Sequence, residues 1–325
     1  MRTLKCLNVL SAALGLQLAL LSAAPVVAQT YPDKPITLYI GYAAGATTDL
    51  TARALAQGAE KLLGVAVVPE NKAGGGATVA AGLLASKKPD GYTLAVVSTG
   101  VLSVRPQLLN LAYNPLKDFT VLMQYSHYVG SLIVRNDAPW KNIDEFVAHA
   151  KKNPGMSYAS TGLHTQQQIA IEVLRQCKGL EFKHVPTKGG TESNTALLGG
   201  HVQFATGAGA HLPLVQQGAF RQLAVFHLDK RDPLFPDVPT LKEIGCPDNP
   251  ALGYVVLGPA GMPDAVTRKL QDAFKKVSES AEFQKLLETF NLPYDYKDQQ
   301  QLAKDIPAET EWYKNFFEKM GVKKQ

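Results

Sequence analysis

Ile36-Thr37-Leu38-Tyr39-Ile40-Gly41-Tyr42-Ala43-Ala44-Gly45-Ala46-Thr47-Thr48-Asp49-Leu50 is the stretch that decides the fold. Ile36 to Ile40 read as a buried strand, a loop of small residues follows, and a helix is expected to run through Thr51 to Leu63. Thr47, Thr48 and Asp49 are good N-cap residues, and Leu50, Ala54 and Leu62 recur at helical spacing. Such a loop leaves backbone N–H groups facing open space, and the helix dipole adds partial positive charge there. That is a seat for a carboxylate or a phosphate. It is not a P-loop, because no Gly-Lys-Ser/Thr follows, and no G-x-G-x-x-G is present. An ordinary strand-to-helix turn also favours small residues, so this stretch alone does not separate the two readings.

The N-terminus points to a compartment. Residues 1–28 carry Arg2 and Lys5, then an apolar run from Leu7 to Leu21, then Pro25-Val26-Val27-Ala28 with small residues where a signal peptidase reads. Cleavage after Ala28 and a mature start at Gln29 are predicted, for a periplasmic product. The apolar run is too short for a membrane anchor, and Cys6 precedes it, out of place for lipid attachment. Removing the leader lowers the formal charge from +5 to +3, with 31 basic against 28 acidic residues. That mild, dispersed charge argues against nucleic acid as a partner. Cys177 and Cys246 could pair in an oxidising compartment, although nothing in the sequence brings them together. No Cys or His pair has metal-ligand spacing, and no metal or cofactor is expected.

Outward from the first loop, Gly64 to Glu70 read as a short buried strand. Asn71 to Thr78 form a second glycine-rich loop that opens a helix from Val79 to Ser86. Tyr92 to Val97 is a third strand, ending in Ser98-Thr99-Gly100. Strands alternating with helices argue for a parallel sheet with helices on both faces, in which ligands gather beyond the carboxyl ends of the strands. The middle of the chain repeats this logic. Strands are expected at Ser131–Arg135, Met156–Ser160, Phe182–Val185, Gly199–Thr206 and Gln222–Phe226. Helices are expected from Ile143 to Lys151, beyond Thr165 with Ile169, Val173 and Leu174 inward, and up to Leu198. After a proline-rich connection, Gly253 to Gly258 read as extended and the remainder as helical, from Pro263 to Val277, Ala281 to Phe290 and Gln299 to Met320. Trp312, Tyr313, Phe316 and Phe317 read as a packing anchor.

The motifs, in order, resemble the periplasmic substrate-binding proteins of tripartite tricarboxylate transporters, the Bug or TctC family. The resemblance covers the whole mature chain. It is carried by Tyr31-Pro32-x-Lys34-Pro35-Ile36-Thr37, the first loop, Glu70-Asn71-Lys72-Ala73-Gly74-Gly75-Gly76 and Lys88-Pro89-Asp90-Gly91-Tyr92-Thr93-Leu94. Tyr113-Asn114-Pro115-Leu116-Lys117-Asp118-Phe119, Tyr158-Ala159-Ser160-Thr161-Gly162, His184-Val185-Pro186-Thr187-Lys188-Gly189-Gly190 and Pro236-Asp237-Val238-Pro239-Thr240 continue it. It implies an α/β, two-lobed periplasmic binding protein of type II, a Venus flytrap in which each lobe is a mixed, mainly parallel sheet flanked by helices. Residues 29–125 with 252–325 would form one lobe and 126–251 the other, joined by crossings near Val121–Tyr128 and Ala251–Gly258.

The resemblance further implies a monomeric, non-enzymatic receptor that captures a small organic carboxylate, a di- or tricarboxylate or an aromatic acid, for a membrane permease. By position, Gly45, Ala46, Thr47, Asp49, Ser98 and Thr99 of lobe one would face Ser160, Thr161, His164, Thr165, Lys188, Gly189, Gly190, Thr206 and His211 of lobe two. The chain departs from the usual Pro-Gly-Gly-Gly/Ser loop at Ala44, Ala46 and Thr47, which keep the amides but narrow the seat. It also has Thr187 in place of a tyrosine, and Ala205-Thr206-Gly207 where many members carry an aspartate. Losing an acid there suits an anionic ligand and argues against an amino acid.

Several residues carry a second reading. Asp49 could cap the helix or pair with Arg53. His164 and His211 could donate to a carboxylate or be merely solvated. Lys188 beside a helix start is unfavourable unless an anion is present, and Arg105 reads as a surface residue that could reach a second carboxylate. A secreted hydrolase lacks support, since no G-x-S-x-G elbow exists. A sensor docking on a membrane signalling protein would share every one of these features.

Overall fold

The structure, a computed structural model, describes residues 31–187, 189–207, 209–227, 230–322 and 324. The expected leader, its cleavage after Ala28, and Lys188 lie outside the described residues. Lys34–Gln325 form one compact unit; of what precedes it, 31–33 are described, with a cis Tyr31–Pro32 peptide.

The unit holds two sheets. The first has six strands in the order β11-β4-β10-β3-β1-β2: β1 Ile36–Ile40, β2 Val67–Asn71, β3 Thr93–Ser98, β4 Phe119–His127, β10 Gly253–Pro259 and β11 Tyr294–Asp298. The second has five in the order β7-β6-β8-β5-β9: β5 Gly130–Arg135, β6 Met156–Ser160, β7 Phe182–Pro186, β8 Phe204–Gly207 and β9 Phe220–Phe226. Both are mixed. The parallel pairings are β1 with β2 and β3, and β6 with β7 and β8. The other five are antiparallel, so parallel pairing is less dominant than the alternating pattern suggests. The reason is that β4 and β10 in the first sheet run against each other and their other neighbours, and β5 in the second runs against β8 and β9. The chain passes from the first sheet to the second across 128–129, between β4 and β5, and re-enters the first at Gly253.

Helix α1 spans Thr47–Leu63, four residues longer at its start than expected. Its inward face is Ala52, Leu55, Ala56, Ala59 and Leu63, whereas Leu50 and Leu62 are exposed. The alanines form the close-packed side: a Cβ on Gly58 would lie 2.5 Å from Val277, a separation that only small residues allow. Strand β2 is a half-exposed edge, not buried, with Val68 at 43% exposure. Residues 199–203 turn where a strand was expected, so β8 is short. β11 replaces expected helix or loop and pairs with β4 as a polar edge strand.

The other helices are α2 Thr78–Ala85, the short α3 Gly100–Ser103 and α4 Arg105–Leu108, α5 Ile143–Lys152, α6 Gln166–Lys178, α7 Gly190–Leu198, α8 Leu212–Gln216, α9 Asp264–Ser278, α10 Ala281–Thr289 and α11 Gln299–Lys319. Around the second sheet, Phe146, Tyr158, Phe204 and Phe226 are fully buried in one apolar cluster. On α11, Tyr313 and Phe317 pack against Val104 and Leu108 of the first half and Ile169 and Val173 of α6. The C-terminal helix therefore braces both halves, and each such buried side chain contributes about 1.5–3 kcal/mol. Cys177 and Cys246 are joined in a disulfide. Among the described residues no helix is long and apolar enough to cross a membrane, and no cluster of metal-ligating side chains occurs.

Candidate functional site

A cavity of about 480 Å³ opens where the strand ends of the two sheets face each other. Three helices begin on its wall: α1 with Ala46, Thr47 and Thr48, α6 with Thr165, Gln166 and Gln167, and α7 with Gly189, Gly190 and Thr191. None of the three has a side-chain cap. Of the other helices, α5, α10 and α11 are capped by Asn142, Ser280 and Asp298, while α2, α3, α4, α8 and α9 also lack a side-chain cap. The expected caps on α1 are displaced because the helix already begins at Thr47, which puts Ala46, with no acceptor, at the N-cap. At α6 the Thr165 hydroxyl donates to the Gly162 carbonyl instead of accepting from the helix. The first-turn amides are therefore left for something in the cavity, and each helix end contributes about half a positive charge.

Asp49 braces the first loop and does not line the cavity. Its carboxylate accepts from the Gly45 amide at 2.9 Å, from Arg53 Nε at 2.9 Å and from Asn71 Nδ2 at 2.7 Å. Burial pushes its pKa up, but these bonds outweigh that and the net shift is downward. The Gly45 amide is thus taken by Asp49, and the amides of Thr47 and Thr48 have no acceptor among the described residues.

Gly45, Ala46, Thr47, Ser98, Thr161, His164, Thr165, Gly189 and Gly190 line the cavity together. Besides Asp49, four expected residues do not. Ser160 Oγ donates to the Gly162 carbonyl at 3.0 Å and lies 2.7 Å from His184 Nε2. Thr206 is fully buried within β8. His211 is buried, with Nε2 2.9 Å from Ser131 Oγ. Thr99 donates to Glu309 at 2.9 Å.

Glu309 lies beneath the end of β3, partly buried, and also accepts from Ser103. Burial pushes its pKa up to about 7, with the Ser103 and Thr99 hydroxyls opposing. The folded state therefore keeps a proton that the unfolded chain releases near 4.5. The stabilisation is full below that value, declines as pH rises towards 7 and is absent above it. Glu309→Gln removes the titration and is expected to stabilise the protein at pH 8 by up to about 3 kcal/mol. Urea unfolding at pH 8 checks this, and a variant no more stable than wild type there would refute the buried, protonated acid.

Arg105 is the residue the sequence reading misplaces. It is half-buried at the cavity wall: its guanidinium lines the cavity and lies so close to Gly76 that a Cβ there would sit 2.1 Å from Nη2. Burial lowers its pKa, partly offset by the Tyr42 and Tyr113 phenols. Its hydrogen bond is to the Leu163 carbonyl at 3.3 Å, and no carboxylate among the described residues is within ion-pair distance. His164, at φ +54°, stands beside it. Burial and the Arg105 charge hold that imidazole below its usual pKa, so it is neutral at pH 7. Arg105, His164, Tyr42 and Gly76 also border a second space of about 900 Å³ reaching Val322. The signal that could have exposed Arg105 is the glycine run itself, since three successive glycines with positive φ make room for something.

The chain matches the model of the tripartite tricarboxylate transporter family receptor over residues 51–322. It is 38% identical over 317 residues to the UPF0065 protein in the gbd 5′ region of Cupriavidus necator, covering 97% of this chain and 95% of that one. The solved structure of the periplasmic binding protein BugD is similar with TM-score 0.82 and 28% identity, over 91% of this chain and 100% of the other. MatC from Rhodopseudomonas palustris with bound malate is similar with TM-score 0.78 and 26% identity, over 88% and 99%. With the two mixed sheets and the cleft between their strand ends, these likenesses establish that the chain belongs to the TctC, or Bug, family of periplasmic solute-binding receptors.

Proposed function

We propose that this receptor captures a small organic carboxylate in the cavity and hands it, unaltered, to a membrane permease of the tripartite tricarboxylate type. The observation that carries the reading is the convergence of three uncapped helix starts with the Arg105 guanidinium on one space. Partial and full positive charge meet there, against the single acidic lining residue Glu192 among the described residues, and charge-assisted bonds to an oxyanion would satisfy both. That MatC holds malate supports the same ligand class. Residues 29–125 with 252–325 and residues 126–251 act as the two lobes, hinged where β4 and β10 lie side by side. The Arg105 bond to Leu163 and the contact of Asn291 with Asp232 join the lobes when closed. The leader, cleaved after Ala28, exports a monomer.

Ligand must favour the closed form to drive closure. Free protein is expected to be more open in solution scattering, and an organic acid of the right class should reduce its radius of gyration and raise its melting temperature. Absence of compaction with every di-, tri- and aromatic carboxylate tried would overturn the proposal, as would recovery of the acid chemically changed.

A further inference from the structure

The cavity's charged and polar groups explain how it holds an anionic group; they do not account for the rest of the wall. Tyr42, Tyr128, Tyr254 and Phe290 bring four aromatic rings to it, with Val104 and Leu252 beside them. Tyr128 and Tyr254 stack at 4.1 Å between centroids and 25° between planes, and Tyr254 in turn stacks on Tyr125. The Tyr128 hydroxyl shares a hydrogen bond with Thr48 Oγ1 at 3.2 Å. Its polar end is thus satisfied within the protein. Burial also pushes the phenols of Tyr128 and Tyr254 well above their ordinary pKa, so both rings stay uncharged.

From this wall we infer that the ligand is an aromatic carboxylate, of the benzoate type, whose ring lies against Tyr128, which Tyr254 backs, and Phe290, while its carboxylate is held by the helix starts and Arg105. The inference rests on the carboxylate-receptor reading above and narrows it. A compact hydroxy-di- or tricarboxylate needs hydrogen-bond donors around most of its surface. Turned to this wall, its hydroxyls and second or third carboxylate would lose water against ring and aliphatic carbon and gain nothing in exchange. A flat ring loses nothing there: it buries apolar surface and meets the tyrosines in stacked or edge-on geometry. The aliphatic hydroxyls on the lining, from Thr47, Thr48, Ser98, Thr161, Thr165 and Thr191, come from the strand and helix ends that hold the anionic group, where Gln166, Gln167 and Glu192 also lie. The cavity therefore has a polar end and an aromatic side, the amphipathic outline of a ring acid.

The test is a calorimetric and thermal-shift comparison of the exported protein with benzoate, benzene-1,4-dicarboxylate, cyclohexanecarboxylate, malate and citrate at pH 7. One of the two aromatic acids is expected to bind at least tenfold more tightly than malate, citrate and the puckered cyclohexane acid. Tyr128→Leu should weaken that aromatic acid at least tenfold, and Tyr128→Phe, which keeps the ring, should stay within threefold of wild type. If Tyr128→Leu does not fold, the wild-type ranking still decides. Malate or citrate binding more tightly than both aromatic acids overturns the aromatic assignment and leaves the receptor reading intact. No binding of any of the five overturns both.

Discussion

Arg105→Gln is expected to abolish tight carboxylate binding while leaving the ligand-free protein as stable as before, or slightly more so. In the free protein the half-buried guanidinium lies against Gly76, near the Tyr42 and Tyr113 phenols, with the Leu163 carbonyl as its hydrogen-bond partner. Its desolvation is a standing cost that a carboxylate in the cavity would offset. Truncating one partner of a buried, hydrogen-bonded charge pair costs about 2–5 kcal/mol, or roughly 30- to 4,000-fold in Kd. Glutamine keeps a donor for the Leu163 carbonyl and removes the charge, so it isolates the electrostatic part. Titration calorimetry with the tightest-binding acid reads the loss, and a melting curve of the free variant reads the fold. Gly76→Ala offers a second approach to the same charge. The added Cβ must displace the guanidinium, and alanine at φ +65° is strained, so affinity should fall by an intermediate amount. Unchanged affinity in Arg105→Gln would show that the helix starts hold the anion alone.

The parts of this site that depend on the backbone were legible in the sequence, and the parts that depend on distant side chains were not. Small residues at the ends of β1 and β6 mark open loops because nothing bulkier leaves the amides accessible. Gly45 to Thr47, Thr161 and Thr165 accordingly lie where the sequence points. Thr99 and Ser160 look equivalent in sequence, yet their hydroxyls turn inward to Glu309, 210 positions away, and His184, 24 positions away. No local pattern carries that choice. Arg105 was misjudged for the same reason, its berth being a glycine loop 29 positions earlier. Apolar periodicity misled on α1, where leucines at 50 and 62 face outward and alanines face the core. It was silent on β11, whose Tyr-Asp-Tyr-Lys-Asp run is held at the edge by side-chain bonds such as Gln124 and His127 to Asp295 at 2.7 and 2.8 Å.

Acidification should weaken the fold well before carboxylates protonate, because two histidines are buried neutral. Burial lowers the pKa of His211 to about 4, with the Gln222 carboxamide beside it opposing, and that of His227 to about 3, with Asn249 opposing. Both titrate near 6.5 once unfolded. Their folded values are depressed, so the stabilisation is complete above pH 6.5. It is lost as pH falls, by about 1.4 kcal/mol per unit for each group, through about 4 for His211 and about 3 for His227. Glu309, which keeps its proton in the folded state, opposes this between 4.5 and about 7. Two protons against one leave a net loss of about 1.4 kcal/mol per unit below pH 6.5, to which the downshifted His164 and His184 add, and a stability maximum between about pH 6.5 and 7. Urea unfolding between pH 4.5 and 8 tests the balance, and the variants separate its terms. Glu309→Gln should steepen the acid slope by about 1.4 kcal/mol per unit and remove the decline above the maximum, whereas His211→Gln should reduce the acid slope by about the same amount. A wild-type protein equally stable at pH 4.5 and 6.5 would mean that water reaches these rings. His211 would then be free to meet a ligand after all, since its neighbour Ala210 already lines the cavity.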